Sequence, residues 1–238
     1  MKLKPLGRLL GILLGLAALD TSARELGGPY AGLALGYVAG EDTGHETPVS
    51  SDGTYTQATH PAGGLLALST GYDFKLSQRW LLGLDVEAEL RNQVEHSVQK
   101  LDGTPTSIAR NGFVDPTTFS SNFAFTVGPR LGYLLYDGKT IVSATTGLAV
   151  AHVKRAFGCN GPVCTPAVSM TEADWQTGWA AGADIERLVT TQLAVGIAYR
   201  HAEFGNQDVN VGALFNPISR EHQRYAEDSL RFVVRYWF

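Results

Sequence analysis

Three carboxylates stand two residues apart at Asp85, Glu87 and Glu89. In an extended segment all three project from one face at about 6–7 Å spacing. Paired carboxylates at such a distance are the equipment of glycoside hydrolysis. The same period of two places Arg130, Asp184, Glu186, Arg200, Arg231 and Arg235 on matching faces of other segments. Opposite charges enclosed together neutralise one another, because an unpaired buried charge is expensive. The expectation is therefore an interior charge network, with no catalytic residues and no enzyme activity.

Two other sets of residues could carry chemistry. His45, His60, His96, His152, His201 and His222 lie in polar stretches or at the ends of apolar ones. Imidazole is the commonest metal ligand and titrates near neutral pH. No two of the six are spaced i, i+2 or i, i+4, so the sequence assigns no metal, no cofactor and a solvated role. Cys159 and Cys164 flank Asn160-Gly161-Pro162, a turn composition that brings the two thiols toward each other. In an oxidising compartment they are expected to form a disulfide. Phosphate-cradling, dinucleotide-binding and metalloprotease motifs are absent.

The elements that must position these residues read as strands. Trp80, Leu82, Leu84, Val86, Ala88 and Leu90 share a face opposite Gly83, Asp85, Glu87 and Glu89, a period of two that no helix would give. Similar alternation runs through 30–37, 65–74, 122–133, 142–150, 175–186, 193–200 and 230–238, making eight candidate strands. In the fourth of these, Asn122, Thr126, Gly128, Arg130 and Gly132 are expected on one face. The connections Lys75–Arg79, Tyr136–Lys139 and Arg187–Thr191 are tight, whereas Glu41–Pro61, Gln93–Thr118, Arg155–Asp174 and Gly205–Arg224 are long and polar.

Of 238 residues, 18% are charged and 27 are glycine, with a formal net charge of −4. A weak negative balance argues against nucleic acid as a partner. Two cysteines exclude a disulfide-dense scaffold and a Cys-rich zinc module. Residues 1–23 carry basic Lys2, Lys4 and Arg8, then an apolar run from Leu9 to Ala18, then Ala23. This is the layout of a cleaved secretory signal peptide, leaving 24–238 as one domain.

One face of the candidate strands is dominated by Gly, Ala, Ser, Thr and charges, and the other carries aromatics near strand ends. Small and paired-charge residues suit the narrow interior of an eight-stranded barrel, and aromatic girdles mark the interfaces of a membrane barrel. The fold class is therefore all-β: an eight-stranded antiparallel up-and-down transmembrane β-barrel with four long outer loops and three tight periplasmic turns. Counted from the tight-turn end, Asp85, Arg130 and Arg235 stand at similar heights. Glu87 stands higher, level with Arg200 and Arg231.

Gly28-Pro-Tyr-Ala-Gly-Leu-Ala-Leu-Gly-Tyr37 resembles the opening strand of the OmpA-like outer-membrane β-barrel superfamily, in its opacity-type, porin-like surface-antigen branch. Trp179–Glu186 and Ala198–Gly205 resemble its penultimate hairpin. Arg231-Phe-Val-Val-Arg-Tyr-Trp-Phe238 resembles its C-terminal strand, with Phe232, Tyr236 and Phe238 as the assembly signal. The resemblance covers roughly residues 28–238 and implies a Gram-negative outer-membrane location. It also implies contact with outer-membrane lipid and with the barrel-assembly machinery. Its members serve as structural barrels, adhesins and surface antigens, so the long loops are expected to meet a host or surface ligand. A small pore or heme-binding barrel is the alternative, and a lipid A-modifying enzyme the third. Against the enzyme, Glu203 stands two residues after His201, where such barrels would place a serine.

Overall fold

The computed structural model describes residues 26–47, 55–98, 100–101, 104–105, 116–161, 164–210 and 220–238. The expected signal peptide lies outside them. Eleven strands are formed among these residues: β1 (Gly28–Thr47), β2 (Tyr55–Thr59), β3 (Ala62–Lys75), β4 (Trp80–Val98), β5 (Lys100–Leu101), β6 (Thr104–Pro105), β7 (Pro116–Leu134), β8 (Thr140–Gly161), β9 (Cys164–Leu188), β10 (Leu193–Asn210) and β11 (Arg220–Trp237). β2 and β3 act as one wall strand, since both pair with β1, through Thr56–Thr59 and Ala62–Asp73 respectively. The break between them falls at His60-Pro61, where the Pro61 carbonyl accepts the Gly40 N–H at 2.8 Å. β5 and β6 are a small outer hairpin added to β2.

The wall is antiparallel throughout, and β11 closes on β1 from Tyr30↔Trp237 to Thr47↔Arg220. Closure leaves no backbone edge toward lipid, the condition for sheet to cross a bilayer. Leu33, Leu35, Leu68, Leu84, Leu148, Ile197, Leu230 and Phe232 face outward and are exposed, while Ala34, Ala67, Glu89, Arg130 and Arg231 face inward and are buried. The barrel is apolar outside and polar inside over this band.

Three tight turns close the lower end, each organised by one side-chain oxygen. Ser77 Oγ accepts the Arg79 and Trp80 N–H groups. Thr190 Oγ1 accepts those of Gln192 and Leu193. Asp137 accepts those of Lys139 and Thr140, both at 2.9 Å, and Gly138 there has φ 65°. The Thr140 hydroxyl and these two amides hold the Asp137 carboxyl down at about 2.

The upper end departs from the expected loops. β8 has 22 residues and β9 25, against the roughly 9–11 that a tilted membrane strand needs. Much of Glu41–Pro61, Gln93–Thr118, Arg155–Asp174 and Gly205–Arg224 is paired strand, so the barrel continues as sheet well past its apolar belt. Polar residues on the outer face hide these strands in the sequence. The backbone still satisfies its hydrogen bonds by pairing.

Bulges mark the transition, at Leu90/Gln93, Ser121/Phe123 and Glu203/Asn206. The second corrects one face assignment. Asn122 is the extra residue of its bulge and is exposed, with Oδ1 2.9 Å from His152 Nδ1. Ser121 takes the inward place.

Candidate functional site: the charged lumen

The lumen is a stack of ion pairs supplied by strands from all round the wall. At the lower mouth, Asp73 Oδ2 accepts Arg130 Nη1 at 2.9 Å and the Trp237 indole N–H at 3.0 Å. Arg130 is fully buried. It also donates to Ser143 Oγ at 2.6 Å and lies 3.4 Å from Asp184 and 3.7 Å from Glu186. Arg235 lies 3.2 Å from Glu186. The Tyr30 ring sits beneath both guanidiniums, at 4.8 Å from that of Arg235 and 5.9 Å from that of Arg130. Gly71 makes room for this ring, because a Cβ there would stand 2.4 Å from the Tyr30 hydroxyl.

One storey higher, Glu87 Oε1 accepts from both Arg200 and Arg231. Glu89 accepts Arg231 Nη2 at 2.8 Å and Arg91 Nη2 at 2.7 Å. Arg91 continues upward to Glu227, which also takes the Tyr225 hydroxyl. Charge-assisted bonds of this kind are the strong ones among side chains.

Above the ion pairs the filling changes. Phe119 packs against Tyr225 with centroids 4.7 Å apart, and Phe204 stacks on Tyr225 at 5.3 Å. Ala124, Ala149, Ala151, Val153, Ala180 and Ala202 complete this apolar layer. Gly205, at φ 51°, absorbs the bulge that follows Phe204. Over the layer, Arg155 grips Asp42 with Nε and Nη2 at 2.8 and 2.6 Å and reaches Gln207 at 2.9 Å.

Of the residues singled out from sequence, Glu87, Glu89, Arg200 and Arg231 meet in one storey, and Arg130, Asp184, Glu186 and Arg235 in another. Asp85 lines a cavity with Arg235 but makes no close ion pair with it or with Arg130, despite its similar height by residue count. Arg130 reaches across to Asp73 instead, and Asp85 Oδ2 is buried without a hydrogen-bond partner. Asp85 lines, with Arg200 and Thr145, two cavities of about 20 Å³ each, room for a single water apiece.

Asp42, Asp73, Arg91, Arg155, Tyr225, Glu227 and Trp237 are the members that the sequence reading missed. Arg91 and Glu227 continue the inward phase of Glu89 and Arg231 by even steps, so the signal was present. Asp42 and Arg155 lay in stretches read as loops. The side chains of Cys159 and Cys164 lie outside those described; the backbone pairs Cys159 with Val168 and Cys164 with Gly161. Phe232 and Tyr236 face outward, and the Phe238 N–H reaches the Pro29 carbonyl at 3.0 Å.

A closed eight-stranded barrel with an apolar outer belt and a charged lumen defines an outer-membrane β-barrel. The chain belongs to the outer membrane protein beta-barrel domain family, whose model matches residues 9–215. No curated protein sequence matches it. Among solved structures it is similar to the outer membrane protein OprG from Pseudomonas aeruginosa, at 10% identity and TM-score 0.57, covering 89% of this chain and 97% of that one. It is also similar to the outer membrane protease OmpT from Escherichia coli, at 8% identity and TM-score 0.51, covering 93% and 99%. At these identities the likeness is one of fold.

Proposed function

We propose that the protein is a plugged surface barrel, exported by its N-terminal segment, with a structural and adhesive role carried by the tall outer hairpins. The observation that carries this reading is the filled lumen, from Asp73 and Trp237 below to Asp42 and Arg155 above. A barrel packed this way has little room for solute, which leaves the outer surface as the place for interaction. Residues 1–23 act as the export signal, and Phe232, Tyr236 and Phe238 are the features the assembly machinery reads.

Reconstitution in planar bilayers tests the plug. Sparse, brief conductance events are expected from the wild type; steady conductance would move the reading to a small pore. Cells displaying the barrel, compared with cells displaying one whose hairpins are cut back to the belt, test adhesion to host matrix proteins. Equal adherence would defeat the adhesive role. The lipid A-modifying reading is disfavoured by the outward cluster around His201. The imidazole meets Asp228 at 2.9 Å, but its neighbours Tyr199, Trp179 and Glu203 offer no serine nucleophile. Mass analysis of lipid A with and without the protein checks that point.

A further inference from the structure

The strand register brings together two histidines that are 177 positions apart in the chain. His45 on β1 lies directly opposite His222 on β11, and His222 in turn lies opposite Asp208 on β10. All three belong to the outward face of the upper barrel, where Gly44, Glu221 and Val209 beside them point inward. Directly opposed residues on antiparallel strands hold their Cβ atoms about 4.5–5.5 Å apart. Two imidazoles at that separation can turn toward a common point. Asp208 Oδ1 engages His222 Nδ1. A carboxylate on one ring nitrogen fixes the tautomer and raises the basicity of the other, the usual support of a metal-bound histidine.

We propose that His45 and His222 form a surface chelate for a borderline divalent transition-metal ion, with Asp208 as the residue that orients His222. Coordination at His222 runs through Nε2. Imidazole pairs suit Cu²⁺, Zn²⁺ and Ni²⁺, with Cu²⁺ held most tightly, whereas Mg²⁺ and Ca²⁺ prefer oxygen ligands. Among the described residues no group of three or more His, Cys, Asp or Glu side chains is arranged to hold a metal ion. The site is therefore a two-histidine one completed by water. Sequence spacing could not reveal it, because the pairing is made by barrel closure between the first and last strands.

The test is titration of the refolded full-length barrel in detergent with CuCl₂ and ZnCl₂ at pH 7.5, followed by calorimetry and by Cu²⁺ electron paramagnetic resonance. One saturable site is expected, tighter for Cu²⁺ than Zn²⁺, with nitrogen hyperfine structure and no response to Mg²⁺. His45→Ala and His222→Ala should each abolish that site, while His96→Ala leaves it intact. Asp208→Asn should weaken it about 10–100-fold. All variants lie on the outer surface, and heat-modifiable gel migration confirms that each is folded. Absence of a saturable site, or one that survives either histidine variant, overturns the proposal. An unchanged affinity in Asp208→Asn overturns the orienting role.

Discussion

The belt and the tall upper barrel share one continuous wall yet reverse the character of their outer faces. Over the belt, Leu84, Leu148, Ile197 and Leu230 face out while Glu87, Arg130 and Arg231 face in. Above it, Phe119, Val153, Phe204, Val209 and Tyr225 face in, while Asn122, Lys154, Asp208, His222 and Arg224 face out. The upper part shows polar groups outside and a mixed interior, with Asp42, Gln93, Arg155 and Gln223 buried beside those apolar side chains, and the lower part shows apolar groups outside and charges within. The lesson is that apolarity follows whatever solvent bathes the outer face, lipid below and water above. The lumen then takes what remains.

Glu87→Ala tests the lower lumen with the largest expected effect. It strips the acceptor that Arg200 and Arg231 share; both keep Glu89, so the cost of leaving an enclosed charge unpaired, about 3–5 kcal/mol, is the upper limit of the loss. Urea unfolding in lipid vesicles should show a lower midpoint, and bilayer recordings more frequent openings. Unchanged stability with steady conductance would mean a water-filled lower lumen. An exposed pair contributes only about 0–1 kcal/mol.

A matched pair of outward arginines probes the reversal itself. Leu84→Arg, mid-belt, should cost about 2–4 kcal/mol, the depth-dependent price of a cation facing lipid. Thr171→Arg, exposed on β9 above the belt, should stay within about 0.5 kcal/mol. Equal losses at the two positions would break the comparison.

Smaller effects sharpen the boundary. Gly205→Ala forces a Cβ onto a left-handed residue at the transition bulge and should cost about 1 kcal/mol by the same unfolding assay. Cys159 and Cys164 should be bridged in the exported protein, which mass spectrometry after alkylation without reduction would show as two unmodified residues. Removing the bridge should leave the barrel folded. Smallest is the turn at Asp137. Its carboxyl is held at about 2, below its ordinary value of 3.8. The turn is therefore fully supported above about pH 4 and loses that support as pH falls through about 2. Asp137→Ala should erase this acid-side dependence in hydrogen exchange of the Lys139 and Thr140 amides.

The same reversal explains what could be read from the sequence. Over the belt the alternation is strict, as in Trp80–Leu90, and the strand count, the closed barrel and the outward apolar face followed from it. Above the belt both faces carry polar groups, so Arg155 and Asp42 looked like loop residues. Strict alternation puts Asn122 on the wrong face, because a bulge shifts phase without any mark in composition. Height counted along a strand placed Asp85 near Arg130, but it could not foresee that Asp73, one strand away, would take that guanidinium. The pairing of His45 with His222 depends on which strands meet at closure, which no local pattern encodes.

The last strand has a consequence for assembly. β11 points inward at every odd position from Glu221 to Trp237, and it supplies Trp237, Arg235, Arg231, Glu227 and Tyr225 to successive storeys of the lumen. Until it docks, Arg91 lacks Glu227, Asp73 lacks the indole N–H, and Phe204 and Phe119 lack the ring they share. Zipping the seam therefore also completes the interior. A barrel open between β1 and β11 is also a barrel with its charges unmatched, so a partly closed form loses seam hydrogen bonds and interior ion pairs together.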